Sequence, residues 1–121
     1  MSKVDYLIKG VSLPDGKKSD IAISNGLITS VDFGFNGEAQ VVIDGSECLV
    51  LPGLVDLHTH LREPGREDAE TVLSGSQAGA KGGFTAVSAM ANTSPVADTA
   101  GVVEQVYRLG QDAVLFDVFP I

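Results

Sequence analysis

Residues 49–65 read Leu-Val-Leu-Pro-Gly-Leu-Val-Asp-Leu-His-Thr-His-Leu-Arg-Glu-Pro-Gly, and the rest of the chain is organised around them. The stretch carries both histidines of the chain, His58 and His60, at the end of an apolar run. Before Pro52 the grammar is that of short strands and tight turns, and after Gly53 it becomes strand–helix–strand. Leu54–Leu57 predicts a buried strand leading into the histidines. Residues 68–81 predict a helix with Asp68 as N-cap, its inner face formed by Val72, Leu73, Ser76 and Ala80, and Gly82-Gly83 as its end. Residues 84–90 predict a second strand. A helix over 98–109 then places Val102, Val103, Val106 and Leu109 on one face, with Gly110 as its cap. Residues 113–119 predict a third strand. Strands alternating with helices through short loops indicate parallel βαβ units. Such units either close into a (β/α)₈ barrel or stack as an open doubly wound sheet.

Upstream, Tyr6–Lys9, Ser19–Ile23, Leu27–Val31 and Ala39–Ile43 predict short antiparallel strands. Pro14-Asp15-Gly16, Ser24-Asn25-Gly26 and a loop marked by Gly34, Asn36 and Gly37 lie between them, and Asp44-Gly45 is a tight turn after the last. Asn25-Gly26 is the strongest hairpin signal, because both central residues of a type I′ turn need φ > 0. Residues 1–51 therefore read as part of a small β-sandwich domain. Residues 52–121 hold only about two βα units, too few to close a barrel, which typically needs about 250 residues. The expectation is an N-terminal portion of a longer protein.

Composition narrows the function classes. The 121 residues are 44% hydrophobic and 20% charged, an ordinary globular balance. Sixteen acidic side chains against 8 basic ones give a net charge of −8, which argues against a nucleic-acid or anionic-membrane surface. No apolar run approaches the ~18 residues of a membrane span, and MSKVDYLIKG lacks the apolar core of a signal peptide. The single cysteine, Cys48, cannot form an internal disulfide and reads as a small buried hydrophobe rather than a reactive thiol. The expected location is the cytoplasm.

On a strand, side chains two apart share a face, roughly 6.5–7 Å apart, so His58 and His60 project together. Neutral imidazoles are ligands for a divalent metal such as zinc. A catalytic zinc needs about three protein ligands plus water, and the chain has no third histidine. Asp56 has the same strand parity, which allows it either to orient an imidazole or to serve as a structural hydrogen-bonding group. His-x-His alone is compatible with two ordinary strand-end residues. Its position at the end of the first parallel strand favours a site, since barrel active sites cluster there. Arg62 shares the parity if the chain stays extended; its guanidinium suits a substrate carboxylate, and its plainer role is a surface ion pair. Asn92 ends the second strand, where its amide can bind a ureido or carboxylate group or form an Asx turn before Pro95.

Residues 51–65, with Ala80–Val87 and Met90–Val96, resemble the N-terminal metal motif of the amidohydrolase superfamily. Within it they are similar to the type I dihydroorotase family. The Arg62-Glu63-Pro64-Gly65 tail and Asn92-Thr93 carry the narrower likeness. The resemblance implies a TIM barrel, with His58 and His60 as zinc ligands and one or two zinc ions per full-length subunit. Arg62, Asn92 and His60 would bind substrate. It implies reversible cyclisation of N-carbamoyl-L-aspartate to L-dihydroorotate in pyrimidine synthesis, with a homo-oligomer or aspartate transcarbamoylase as partner. The remaining ligands and the catalytic aspartate would lie beyond residue 121, leaving this chain inactive by itself. Ala91 departs from the proline that many relatives carry. Competing readings are allantoinase, dihydropyrimidinase, or a non-catalytic dihydroorotase-like structural subunit.

Overall fold

The computed structural model describes residues 3–121; Met1 and Ser2, part of the N-terminal reading above, lie outside the described residues. Seven strands and two helices follow in order: β1 Lys3–Ser12, β2 Lys18–Ser24, β3 Leu27–Asp32, β4 Glu38–Asp44, β5 Leu54–Thr59, α1 Val72–Lys81, β6 Phe84–Ala89, α2 Ala100–Ala113 and β7 Asp117–Pro120. They separate into two compact units, Met1–Pro52 and Gly53–Ile121. The architecture is α/β. Among the described residues no helix is long and apolar enough to cross a membrane.

The first unit is a four-stranded sheet in the order β3-β2-β1-β4. The hairpin at Asn25-Gly26 forms, with both residues at positive φ. One expectation fails: β4 pairs with β1 in parallel, not antiparallel. Residues 33–37 turn the chain back after β3, so β4 arrives on the far side of β1 running in the same direction as β1. A second correction concerns Cys48, which is exposed. Its N–H donates to the Gly45 carbonyl and its own carbonyl accepts from Ser12. Those bonds occupy the backbone in a turn and leave the thiol outward.

Asp20 ties this unit together. It is buried, at 4% exposure, and its carboxylate accepts from the Gly10 N–H at 2.8 Å and from Gly34 and Phe35 N–H at 3.0 Å each. One side chain thus satisfies the irregularity in β1, where the register with β2 shifts between Ile8 and Val11, and the loop after β3. The three hydrogen bonds are part-buried, and backbone donors drawn out of water need partners. The Gly10 N–H, chiefly, holds the Asp20 carboxyl below the usual carboxylate range. Val4, Leu7 and Ala22 form the adjoining core, with Phe35 and Ala39 packed against it.

The second unit is a parallel sheet, β5-β6-β7, whose crossovers are α1 and α2. Helix α1 starts at Val72, not at the expected cap Asp68. Asp68 is engaged by Arg66 at 3.1 Å. Thr71 is the cap instead, its hydroxyl accepting from Ser74 N–H while the Ser74 hydroxyl accepts from Thr71 N–H. Val72 and Ser76 are buried as expected, but Leu73 is exposed. The expected burial of β5 also fails: Leu57 is 73% exposed, because β5 is an edge strand paired only with β6.

Helix α2 runs four residues past the expected Leu109, and β7 begins at Asp117 rather than 113. Gly110 is therefore no cap. It is buried within the helix, where an added Cβ would lie 2.5 Å from the Cβ of Val118. The turn out of the helix falls on Val114, in the left-handed region at φ 54°. Leu61, Val72, Val87, Ala89, Val106 and Val118 make the core of this unit, with Leu109 and Phe116 packed against it.

Two predictions follow from this packing. Removing the Asp20 acceptor by Asp20→Ala strands three backbone donors and costs on the order of 3 kcal/mol in urea unfolding. Because its carboxyl is depressed, this stabilisation is present above the ordinary value near 3.8 and is lost as pH falls below it. The wild-type and Ala chains should therefore converge in stability on acidification; an unchanged gap would contradict it. Second, Gly→Ala in α2 should change sign with position. At Gly101, where no atom lies within 4 Å of an added Cβ, it gains up to about 1 kcal/mol of helix propensity. At Gly110 the overpacking cost of roughly 1–3 kcal/mol outweighs that gain. Thermal unfolding of both variants checks it.

Candidate functional site

Parallel pairing places the C-terminal ends of β5 and β6 side by side, and the candidate residues occupy those ends. His58 is the penultimate residue of β5 and is exposed; His60 follows the strand and is half-buried. Their ring centroids are 5.1 Å apart in an edge-to-face arrangement at 75°. Asn92 lies three residues beyond β6. Its side-chain Oδ1 is 2.8 Å from His60 Nδ1, across 32 residues of chain. With Oδ1 as acceptor, Nδ1 carries the proton and the Nε2 lone pair is free.

Backbone contacts hold the two loops. Met90 N–H donates to the Thr59 carbonyl, and Ser94 N–H donates to the Pro64 carbonyl, each at 2.9 Å. Gly65, at φ 105°, approaches Ser94 so closely that an added Cβ would lie 2.3 Å from the Ser94 carbonyl oxygen. No other residue type fits that combination of φ and space. Gly65 N–H is taken by Glu67 Oε1 at 2.8 Å. Glu63 Oε2 accepts from Val72 N–H at 2.7 Å, placing a carboxylate at the N-terminus of α1, where the helix dipole favours it. These loop ties escape sequence reading; the Pro64-Gly65 pair is their one visible signal.

Arg62 departs from the expected geometry. The strand ends at Thr59, Leu61 is buried in the core, and Arg62 turns through the left-handed region at φ 62°. Strand parity therefore does not reach it. Its guanidinium is exposed and makes neither hydrogen bond nor ion pair among the described residues, so the surface ion pair does not form. Of the two roles open to Asp56, the structure shows the plainer one. Its carboxylate accepts from His58 N–H at 2.9 Å and bonds no imidazole, and that N–H holds the carboxyl below the usual carboxylate range.

The donor set fits part of a metal site. Two adjacent imidazoles, one with its tautomer set by an amide, are suited to a divalent cation. Among the described residues no group of three or more His, Cys, Asp or Glu side chains is placed to hold an ion.

Comparison with known proteins narrows the assignment. The Dihydro-orotase-like family profile matches residues 47–121. A dihydroorotase of Streptomyces coelicolor is 54% identical over 121 residues, all of this chain and 28% of that protein. One of Mycobacterium tuberculosis is 48% identical over 98% of the chain and 28% of its own length. The fold is similar to that of the L-hydantoinase (dihydropyrimidinase) from Arthrobacter aurescens, with a TM-score of 0.77 and 24% identity over 88% of this chain and 25% of that one. This chain thus spans little more than a quarter of the relatives it matches. On the profile match and the identity along its whole length, the chain belongs to the dihydro-orotase-like family.

Proposed function

We propose that the chain is the N-terminal part of a zinc-dependent dihydroorotase, which interconverts N-carbamoyl-L-aspartate and L-dihydroorotate. The observation that carries this reading is the meeting of His58, His60 and Asn92 at the paired ends of β5 and β6. It is supported by the 54% identity to a dihydroorotase. The strand order β5-β6-β7, each strand added beside the last, supports the opening of a (β/α)₈ barrel over a doubly wound sheet, whose strand order reverses at a switch point. The sheet β3-β2-β1-β4 is then the N-terminal portion of the accompanying β-sandwich.

In this reading His58 and His60 hold zinc, which when bound polarises the amide carbonyl and activates a water. The Arg62 guanidinium, exposed and unpaired, receives the substrate carboxylate as a charge-assisted fork. The Asn92 amide donates to the same group. Two imidazoles fall short of the roughly three protein ligands of a catalytic zinc. The remaining ligands and the proton-transferring carboxylate belong to the part of the protein outside these 121 residues.

The purified 121-residue chain, given zinc, should not hydrolyse L-dihydroorotate; measurable turnover would refute the half-site. In the full-length protein, His58→Ala should lose both zinc and activity. Arg62→Ala should lose about 1.5–3 kcal/mol of carboxylate binding, a roughly 10- to 150-fold rise in KM, with zinc content unchanged. Assays on allantoin and dihydrouracil complete the test, since faster turnover of either would move the reading to allantoinase or dihydropyrimidinase.

A further inference from the structure

We infer that Asn92 is a positioning residue for the metal ligand His60 as well as a substrate-binding group, with the two ends of one amide divided between the two tasks. The inference rests on the dihydroorotase reading of the site. Its basis is the 2.8 Å contact between Asn92 Oδ1 and His60 Nδ1. A side-chain amide has one acceptor oxygen and two N–H donors. Directing the oxygen at Nδ1 obliges the imidazole to carry its proton there, which leaves the Nε2 lone pair as the only one able to bind a metal ion. The same bond consumes the amide's acceptor and leaves its NH₂ to donate. A donor is what a substrate carboxylate requires, so the amide is not shared between competing demands.

The neighbouring backbone makes this placement rigid. Asn92 sits in the loop whose Ser94 N–H bonds to the Pro64 carbonyl, and whose carbonyl at Ser94 presses on Gly65. Met90 N–H ties the start of the same loop to Thr59, the residue between the two histidines. The loop bearing the amide and the segment bearing the imidazole are thus fastened on both sides of the side-chain bond. Partners of this kind orient metal-bound imidazoles, and their loss typically costs about 10- to 100-fold in metal affinity.

The two roles separate by substitution in the full-length protein, with zinc affinity measured by chelator competition and KM measured on L-dihydroorotate. Asn92→Ala removes both ends of the amide and should weaken zinc binding by about 10- to 100-fold while raising KM. Asn92→Asp keeps an oxygen for Nδ1–H but replaces the donor with a negative charge. It should hold zinc as tightly as wild type and still raise KM strongly. Asn92→Leu, similar in size and without polar atoms, should reproduce the zinc loss of the Ala variant and guards against a collapse peculiar to the smaller side chain. Wild-type zinc affinity in both Ala and Leu variants would overturn the positioning role. An Asp variant with unchanged KM but intact zinc binding would instead sink the substrate role of Asn92 and leave the positioning role standing.

Discussion

Parallel pairing of β5 with β6 is the constraint on which the candidate site depends. Parallel neighbours end at the same edge of the sheet, so residues 32 positions apart in the chain arrive together without any contact between them having to organise the fold. The crossover that makes this pairing obligatory is α1, and its anchoring begins inside the motif itself. Leu61 is buried in the core against Val72, the first residue of the helix, and the Glu63 carboxylate receives the Val72 N–H. The segment that presents the histidines is thus also the segment that docks the crossover helix.

Close backbone approach is the second recurring device. Gly65 admits the Ser94 carbonyl, Gly110 admits Val118, and Gly53 faces Thr85 at a distance where an added Cβ would fall 2.1 Å from the threonine methyl. Each joins two segments of the second unit. Their cost in chain entropy is real, and the contacts that replace a side chain are backbone hydrogen bonds and β-branched packing. In the first unit a buried carboxylate does the corresponding task, with Asp20 serving two segments at once. The two units solve the problem of irregular backbone by different chemistry.

The half-site has a clear chemical logic. Its imidazoles are adjacent, one is bonded to an amide, and a free guanidinium stands two residues on. In the dihydroorotase reading proposed above, this chain, which spans 28% of a relative's length, would supply one sector of a centre.

Much of this was legible in the residues alone. The βαβ order, the inner face of α2 and, apart from Leu73, that of α1, the Asn25-Gly26 hairpin and the grouping of His58, His60 and Asn92 at strand ends all follow from local periodicity, turn chemistry and side-chain parity. These are short-range properties, and each residue's neighbours in sequence carry them. What only the structure decided is which of several available neighbours, near or far along the chain, each residue takes as its partner. Asp68 looked like a cap, yet its bond to Arg66 and the capping box of Thr71 with Ser74 moved the helix start by three residues. Gly110 looked like a terminator, yet Val118 needed the space. Arg62 looked like part of the strand, yet burial of Leu61 bent the chain before reaching it. Strand β4 looked antiparallel, yet its neighbour was chosen by the path of the preceding loop. Periodicity cannot report such outcomes, because pairing direction and close approach are properties of two segments together, while a sequence pattern describes one segment at a time.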